Sequence, residues 1–225
     1  MTNEHHVPHF QEELASLKAR LLAMGGLAED RVRTAVRALV DSDRSGVERV
    51  LQGDHEINRL HIEIDAHCFR LLALYQPVAA DLRAIVSAVK INTDLERVGD
   101  LAVNIAEATV RYQAQPPVKP LIDIPRMAAI AQKMLCDSLD AFVRGDLDVA
   151  QQVLDRDDEL DALKTLVFKE LLDFMLRDRM TVAPSINLIL ISRHLERIGD
   201  HATNIAEDVI FMVSAKDVRH HTEDI

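Results

Sequence analysis

Glu96, Asp100, Asn104 and Glu107 are followed, one hundred positions later, by Glu196, Asp200, Asn204 and Glu207. At 100° per residue each quartet falls within an arc of roughly 80° on a helix, so its oxygens share one face. Glu and Asp four residues apart repel by ~0.2–0.5 kcal/mol on an exposed helix. Carrying that repulsion twice points to a positive charge beside each face. Carboxylate and amide oxygens are ligands for hard cations such as Mg, Mn, Ca or ferric iron. A second stripe, Asp54, Asn58, His61 and Asp65, has steps of 4, 3 and 4 and could add ligands. Its counterpart is Asp157, Asp161, Lys164 and Phe168, in which Lys and Phe are not ligands. If both faces hold metal, the second must hold it differently. The candidate metal residues are thus the two quartets, with Asp54, His61, Asp65, Asp157 and Asp161 in support. The candidate cofactors are Mg, Mn, Zn or Fe ions. The competing reading is a solvated acidic face balanced by Arg97 and Arg197.

The quartets sit in an internal repeat. Ile91–Ala108 (INTDLERVGDLAVNIAEA) and Ile191–Asp208 (ISRHLERIGDHATNIAED) agree at 11 of 18 positions. Upstream, Met24, Val32, Val36 and Val40 match Met127, Leu135, Leu139 and Val143, and Val50-Leu51 matches Val153-Leu154, at an offset of 103. One unit is used twice. Gly99 and Gly199 interrupt good helix at about 1 kcal/mol each, which suggests close helix packing or room beside the acidic face.

The elements that must position these residues are helices. Of the 225 residues, 48% are hydrophobic but only 4% aromatic, with no Trp, a composition of helical bundles rather than sheets. Periodicity and breakers predict six long helices, at about 9–41, 45–75, 79–112, 123–144, 147–178 and 182–214. Pro77 ends one of them, and Pro184 sits near the start of another, where its missing N–H costs little. Ile91, Leu95, Val98, Ala102 and Ile105 form a 4,3,4,3 stripe repeated by Ile191, Leu195, Ile198, Ala202 and Ile205. The expected fold is all-α, a tandem pair of antiparallel three-helix bundles. The domain reading is 8–112, a Pro-rich linker 113–120 (QAQPPVKP), 121–215, and a tail 216–225.

Other features narrow the function. A net charge of −11 argues against a nucleic-acid backbone as partner. Cys68 and Cys136 form no CxxC and read as small buried hydrophobes in a reducing compartment. There is no apolar run of the ~20 residues a membrane span needs and no signal-peptide pattern, so a cytosolic location is expected. His5, His6, His9, His220 and His221 read as hydrated tails. No Gly-rich phosphate loop, GxSxG or HExxH is present. No Glu in a predicted helix is followed by His at +3, and His194 and His201 flank Glu196 at −2 and +5, which disfavours a di-iron oxidase.

From about residue 8 to 220 the chain resembles the PhoU family of phosphate-signalling regulators. The resemblance is carried by MGGLAE (Met24–Glu29), Gly53-Asp54, QPVAADLR (Gln76–Arg83), LERVGD (Leu95–Asp100), LERIGDHATNI (Leu195–Ile205) and the ending Asp217-Val218-Arg219-His220. It implies two three-helix bundles with ExxxD motifs able to hold metal, which puts Glu96, Asp100, Glu196 and Asp200 foremost. It further implies a non-enzymatic cytoplasmic adaptor, peripheral to the inner membrane through its partners and often a homodimer. Such an adaptor couples a phosphate ABC transporter, through its ATPase subunit, to a sensor histidine kinase and restrains both starvation genes and uptake. His61 departs from the acid that relatives can carry there, and Asn58 contrasts with Asp161. The alternatives are a metal-binding helical scaffold and a metal-dependent, di-iron-like enzyme.

Overall fold

The computed structural model describes residues 6–219, with the side chains of residues 6–8 and of Asp54 outside the description. The helices are α1 (His6–Val40), α2 (Arg44–Gln52), α3 (Asp54–Tyr75), α4 (Ala79–Gln113), α5 (Asp123–Arg144), α6 (Leu147–Arg177) and α7 (Val182–Ser214), with a 3₁₀ turn at Arg179–Thr181. Among the described residues there is no strand. The six long helices fall where the periodicity puts them. The predicted helix 45–75 is in fact two, because Gly53 (φ −79°, ψ 2°) leaves the helical path between α2 and α3. A Cβ on Gly53 would stand 3.0 Å from both the Arg31 guanidinium and the Arg49 carbonyl.

Helix ends have local causes. Asp43 Oδ1 accepts from the Ser45 amide at 2.9 Å and opens α2. Asp146 Oδ1 accepts from the Asp148 and Val149 amides and opens α6. Gly145 adopts φ 66°, the left-handed conformation that closes α5. His6 and His9 lie in α1, which starts earlier than the sequence suggests; His9 reaches Glu12 and Glu13. His5, His220 and His221 lie outside the described residues.

The two repeated helices, α4 and α7, pack together more extensively than any other pair. They run antiparallel, since Arg83 meets Met212 at one end and Arg111 meets Asn187 at the other. Equivalent helices packed antiparallel relate the two halves by an approximate two-fold rotation. Ile91, Leu95, Val98, Ala102 and Ile105, and their five counterparts on α7, are all fully buried. Burying each Leu or Ile side chain is worth ~1.5–3 kcal/mol. α1 crosses α5 closely: a Cβ on Gly25 would lie 2.2 Å from Leu139 Cδ1. The cores of the two halves are therefore continuous.

A row of polar contacts also crosses the α4–α7 interface. Arg83 Nε donates to the Met212 carbonyl (3.1 Å) and Ser87 Oγ to the Asp208 carbonyl (3.1 Å). Lys90 Nζ donates to Asp208 Oδ1 at 2.7 Å. His201 Nδ1 pairs with Asp94 Oδ1 at 2.8 Å. Cys68 is buried, and burial pushes its thiol up to about 12. Cys136, expected to be buried as well, is exposed: it lies on the outer face of α5, one position before Asp137, which pairs with Lys133.

Candidate acidic faces

Each face forms where a helix of the repeated pair meets its neighbour: α3 beside α4, and α6 beside α7. The glycines set the approach. A Cβ on Gly99 would stand 3.0 Å from Ile57 of α3, and one on Gly199 would stand 2.5 Å from Leu160 of α6. Close packing is thus what the repeated glycines serve. It brings Asp157 within reach of Gly199, at 3.6 Å from that same Cβ position.

On the first face Arg97 lies 3.6 Å from Glu96 and 3.9 Å from Asp100. Glu107 pairs with Arg111 at 3.7 Å. Asn104 is half-buried. His61 Nε2 stands 3.6 Å from Asp65, and buried Asn92 donates to both the His61 carbonyl and Asp65 Oδ1 at 2.9 Å. Asn92 was not foreseen; its signal would have been a polar residue one position past Ile91 in the apolar stripe. Asn58 is half-buried and engaged.

The second face is organised around a lysine. Lys164 Nζ donates to Asp161 Oδ1 and to Glu196 Oε1, each at 2.7 Å. Asp157 and Asp200 stand beside this bridge. Crowding by protein atoms raises the pKa of Asp200 to about 6, with the charges of Glu196, Asp157 and Asp161 adding and His201 opposing. Asp157 is raised for the same reasons, desolvation first and then Asp161 and Glu196. Asn204 turns instead toward α4, its amide donating to Asp94 Oδ1 at 3.3 Å. Glu207 is half-buried and engaged. The Asp94–His201 pair was also missed, because only antiparallel pairing of α4 with α7 brings residues 107 apart in sequence together.

The quartets therefore divide. Glu96–Asp100 and Glu196–Asp200 stay on the acidic faces, while Asn204 serves the interface. Among the described residues, no three His, Cys, Asp or Glu side chains converge as a group able to hold a metal ion. On the first face the donor types suit a hard cation but are spread. On the second, the point bridging Asp161 and Glu196 is filled by an ammonium, so the residues do not fit a resident metal there.

The family model of the PhoU domain matches the chain twice, over residues 21–109 and 124–209. The chain belongs to the PhoU family. The phosphate-specific transport system accessory protein PhoU homolog of Pseudomonas aeruginosa is 40% identical over 219 residues, covering 96% of this chain and 90% of its own. The homolog of Caulobacter vibrioides is 41% identical over 216 residues, covering 96% and 94%. Among solved structures, PhoU from Pseudomonas aeruginosa superposes with a TM-score of 0.88 at 39% identity, over 92% of this chain and 100% of that one. The phosphate transport system regulatory protein PhoU from Streptococcus pneumoniae gives 0.85 at 28% identity, over 93% and 99%. This PhoU chain thus shares fold and length with these relatives. Among its described residues no helix is long and apolar enough to cross a membrane.

Proposed function

We propose that this PhoU chain is an accessory regulator of a phosphate-specific transport system. In this reading it restrains phosphate uptake and represses phosphate-starvation genes while phosphate is plentiful. It does so as a cytoplasmic adaptor between the ATPase subunit of the transporter and a sensor histidine kinase, reaching the inner membrane only through those partners. It is a homodimer and carries out no catalysis of its own. The observation that carries the reading is identity of about 40% to transport-system accessory proteins along nearly the whole chain, both repeats included. Those relatives are named as accessory proteins, which favours a role through contact over a metal-dependent enzyme.

Cation binding enters the reading as weak and exchangeable. Glu96 and Asp100 offer oxygens to Mg or Mn in competition with Arg97, and His61 with Asp65 offers the nitrogen and oxygen that Zn or Fe would take. A cation there would relieve local repulsion and alter the surface presented to partners. The test of the whole reading is alkaline phosphatase activity in a deletion strain grown in excess phosphate, with and without the gene restored. High activity without the gene and low activity with it is the expected result. Low activity in both would remove the repressor role. Unchanged regulation and metal content in Glu96→Ala with Asp100→Ala would reduce the first face to plain surface.

A further inference from the structure

We infer that the second acidic face carries its own cation, the Lys164 ammonium, and operates without metal, so that any metal response of this chain belongs to the first face. The repeat aligns the positions at an offset of 103. Lys164 stands where the first half has His61, Asp161 where it has Asn58, and Phe168 where it has Asp65. The second face has thus exchanged two ligating residues for a cation and a hydrocarbon, and gained one carboxylate for that cation to hold.

The geometry completes the substitution. Lys164 Nζ spans α6 and α7, 2.7 Å from Asp161 and 2.7 Å from Glu196. It does the bridging that a metal ion shared by those two helices would do. The two occupants exclude each other: a Mg²⁺ or Mn²⁺ ion needs oxygens at about 2.1 Å, and placing it between the same carboxylates would force it against the ammonium. A tethered ammonium also has the advantage of high effective concentration, which a free ion lacks. Phe168, 47% exposed, offers no replacement oxygen. One face therefore holds a close ammonium bridge between helices, whereas the other has the longer Arg97 pairs at 3.6 and 3.9 Å, with which the ions around it compete. Two structurally equivalent faces become a fixed one and an exchangeable one.

The inference rests on reading the two faces as cation sites, not on the regulatory role, so this test and the alkaline phosphatase test can fail separately. Mn²⁺ is titrated into the full-length wild type, Lys164→Gln, Lys164→Arg and Glu196→Gln, with free Mn²⁺ followed by electron paramagnetic resonance and melting temperature measured alongside. Wild type and Glu196→Gln should bind Mn²⁺ alike, since the second face contributes nothing. Lys164→Gln should gain a Mn²⁺ site, roughly tenfold or more tighter than any response of that face in the wild type, and its melting temperature should rise with Mn²⁺. Adding Glu196→Gln in that background should abolish the gain, and Lys164→Arg should behave as wild type. Loss of wild-type Mn²⁺ binding in Glu196→Gln would overturn the inference, whether or not Lys164→Gln folds in the absence of metal. So would a folded Lys164→Gln that binds no more Mn²⁺ than the wild type.

Discussion

Asp200 shows how an acidic face is tuned one side chain at a time. Its pKa is raised to about 6 by crowding and by Glu196, Asp157 and Asp161. The folded protein therefore holds this proton at pH values where the unfolded chain has already lost it. Stability falls as pH rises from about 4 through 6, because the folded state binds more protons across that window. The side chain is partly open to solvent, so the expected gain from Asp200→Asn at pH 8 is only about 0.5–1 kcal/mol, vanishing near pH 4. Urea denaturation of both proteins at the two pH values measures it, and a carboxyl-carbon NMR titration should place the Asp200 midpoint near 6.

Gly199 is the second informative residue. Alanine there would regain about 1 kcal/mol of helix propensity but drive its Cβ to 2.5 Å from Leu160 Cδ2, inside a filled core. Overpacking costs about 1–3 kcal/mol, so Gly199→Ala should be net destabilising and should also shift the Lys164 bridge. Thermal unfolding with and without Leu160→Val, which makes room, separates the steric cost from the backbone gain: the second substitution should recover part of the loss.

At the scale of elements, the α4–α7 pair decides how the halves are joined. Asp208 is nearly buried, and burial pushes its carboxyl up while Lys90 pulls it back. Removing only the cation strands a buried charge. Lys90→Met should cost about 2–4 kcal/mol, whereas Lys90→Met with Asp208→Leu should return to within about 1 kcal/mol of wild type. A double-mutant cycle in urea reads the coupling directly. Much of the element level was legible in the sequence: the period of apolar residues placed six long helices within a few residues, and the 4,3,4,3 stripe named the buried faces of α4 and α7. The break at Gly53 was not, since the apolar pattern runs through it and only the backbone course shows that α2 and α3 are separate helices.

At the scale of the whole molecule, one continuous core spans both repeats. The segment between them is tied down as well, Lys119 donating to Asp123 at 2.7 Å and to Glu170. Either half alone would expose the apolar face of α4 or α7. Expressed separately, residues 1–116 and 117–225 should each bind a hydrophobic dye and melt without cooperativity, and mixing them should restore a single sharp transition. The antiparallel pairing also sends the two interhelical turns to opposite ends. Val78 at the α3–α4 turn is 75% exposed, and Leu176 and Met180 at the α6–α7 turn are 77% and 75% exposed. Leu176→Asp with Met180→Asp should leave stability within about 0.5 kcal/mol per site. If that end contacts a partner, it should raise alkaline phosphatase activity in excess phosphate.

The sequence by itself determined the helices, their buried faces, the duplication and the carboxylates at 96, 100, 196 and 200, because each is written in local spacing: 3.6 residues per turn fixes which side chains share a face. Only the tertiary structure decided what those side chains meet. It sent Asn204 to Asp94 across the α4–α7 interface, tied Asp65 to Asn92, and set Lys164 between Asp161 and Glu196. Those outcomes depend on which helices pack, in which direction and at what distance. Two chain segments of equal motif acquire different neighbours because the equivalent positions of the adjacent helix differ, His61 in one half and Lys164 in the other.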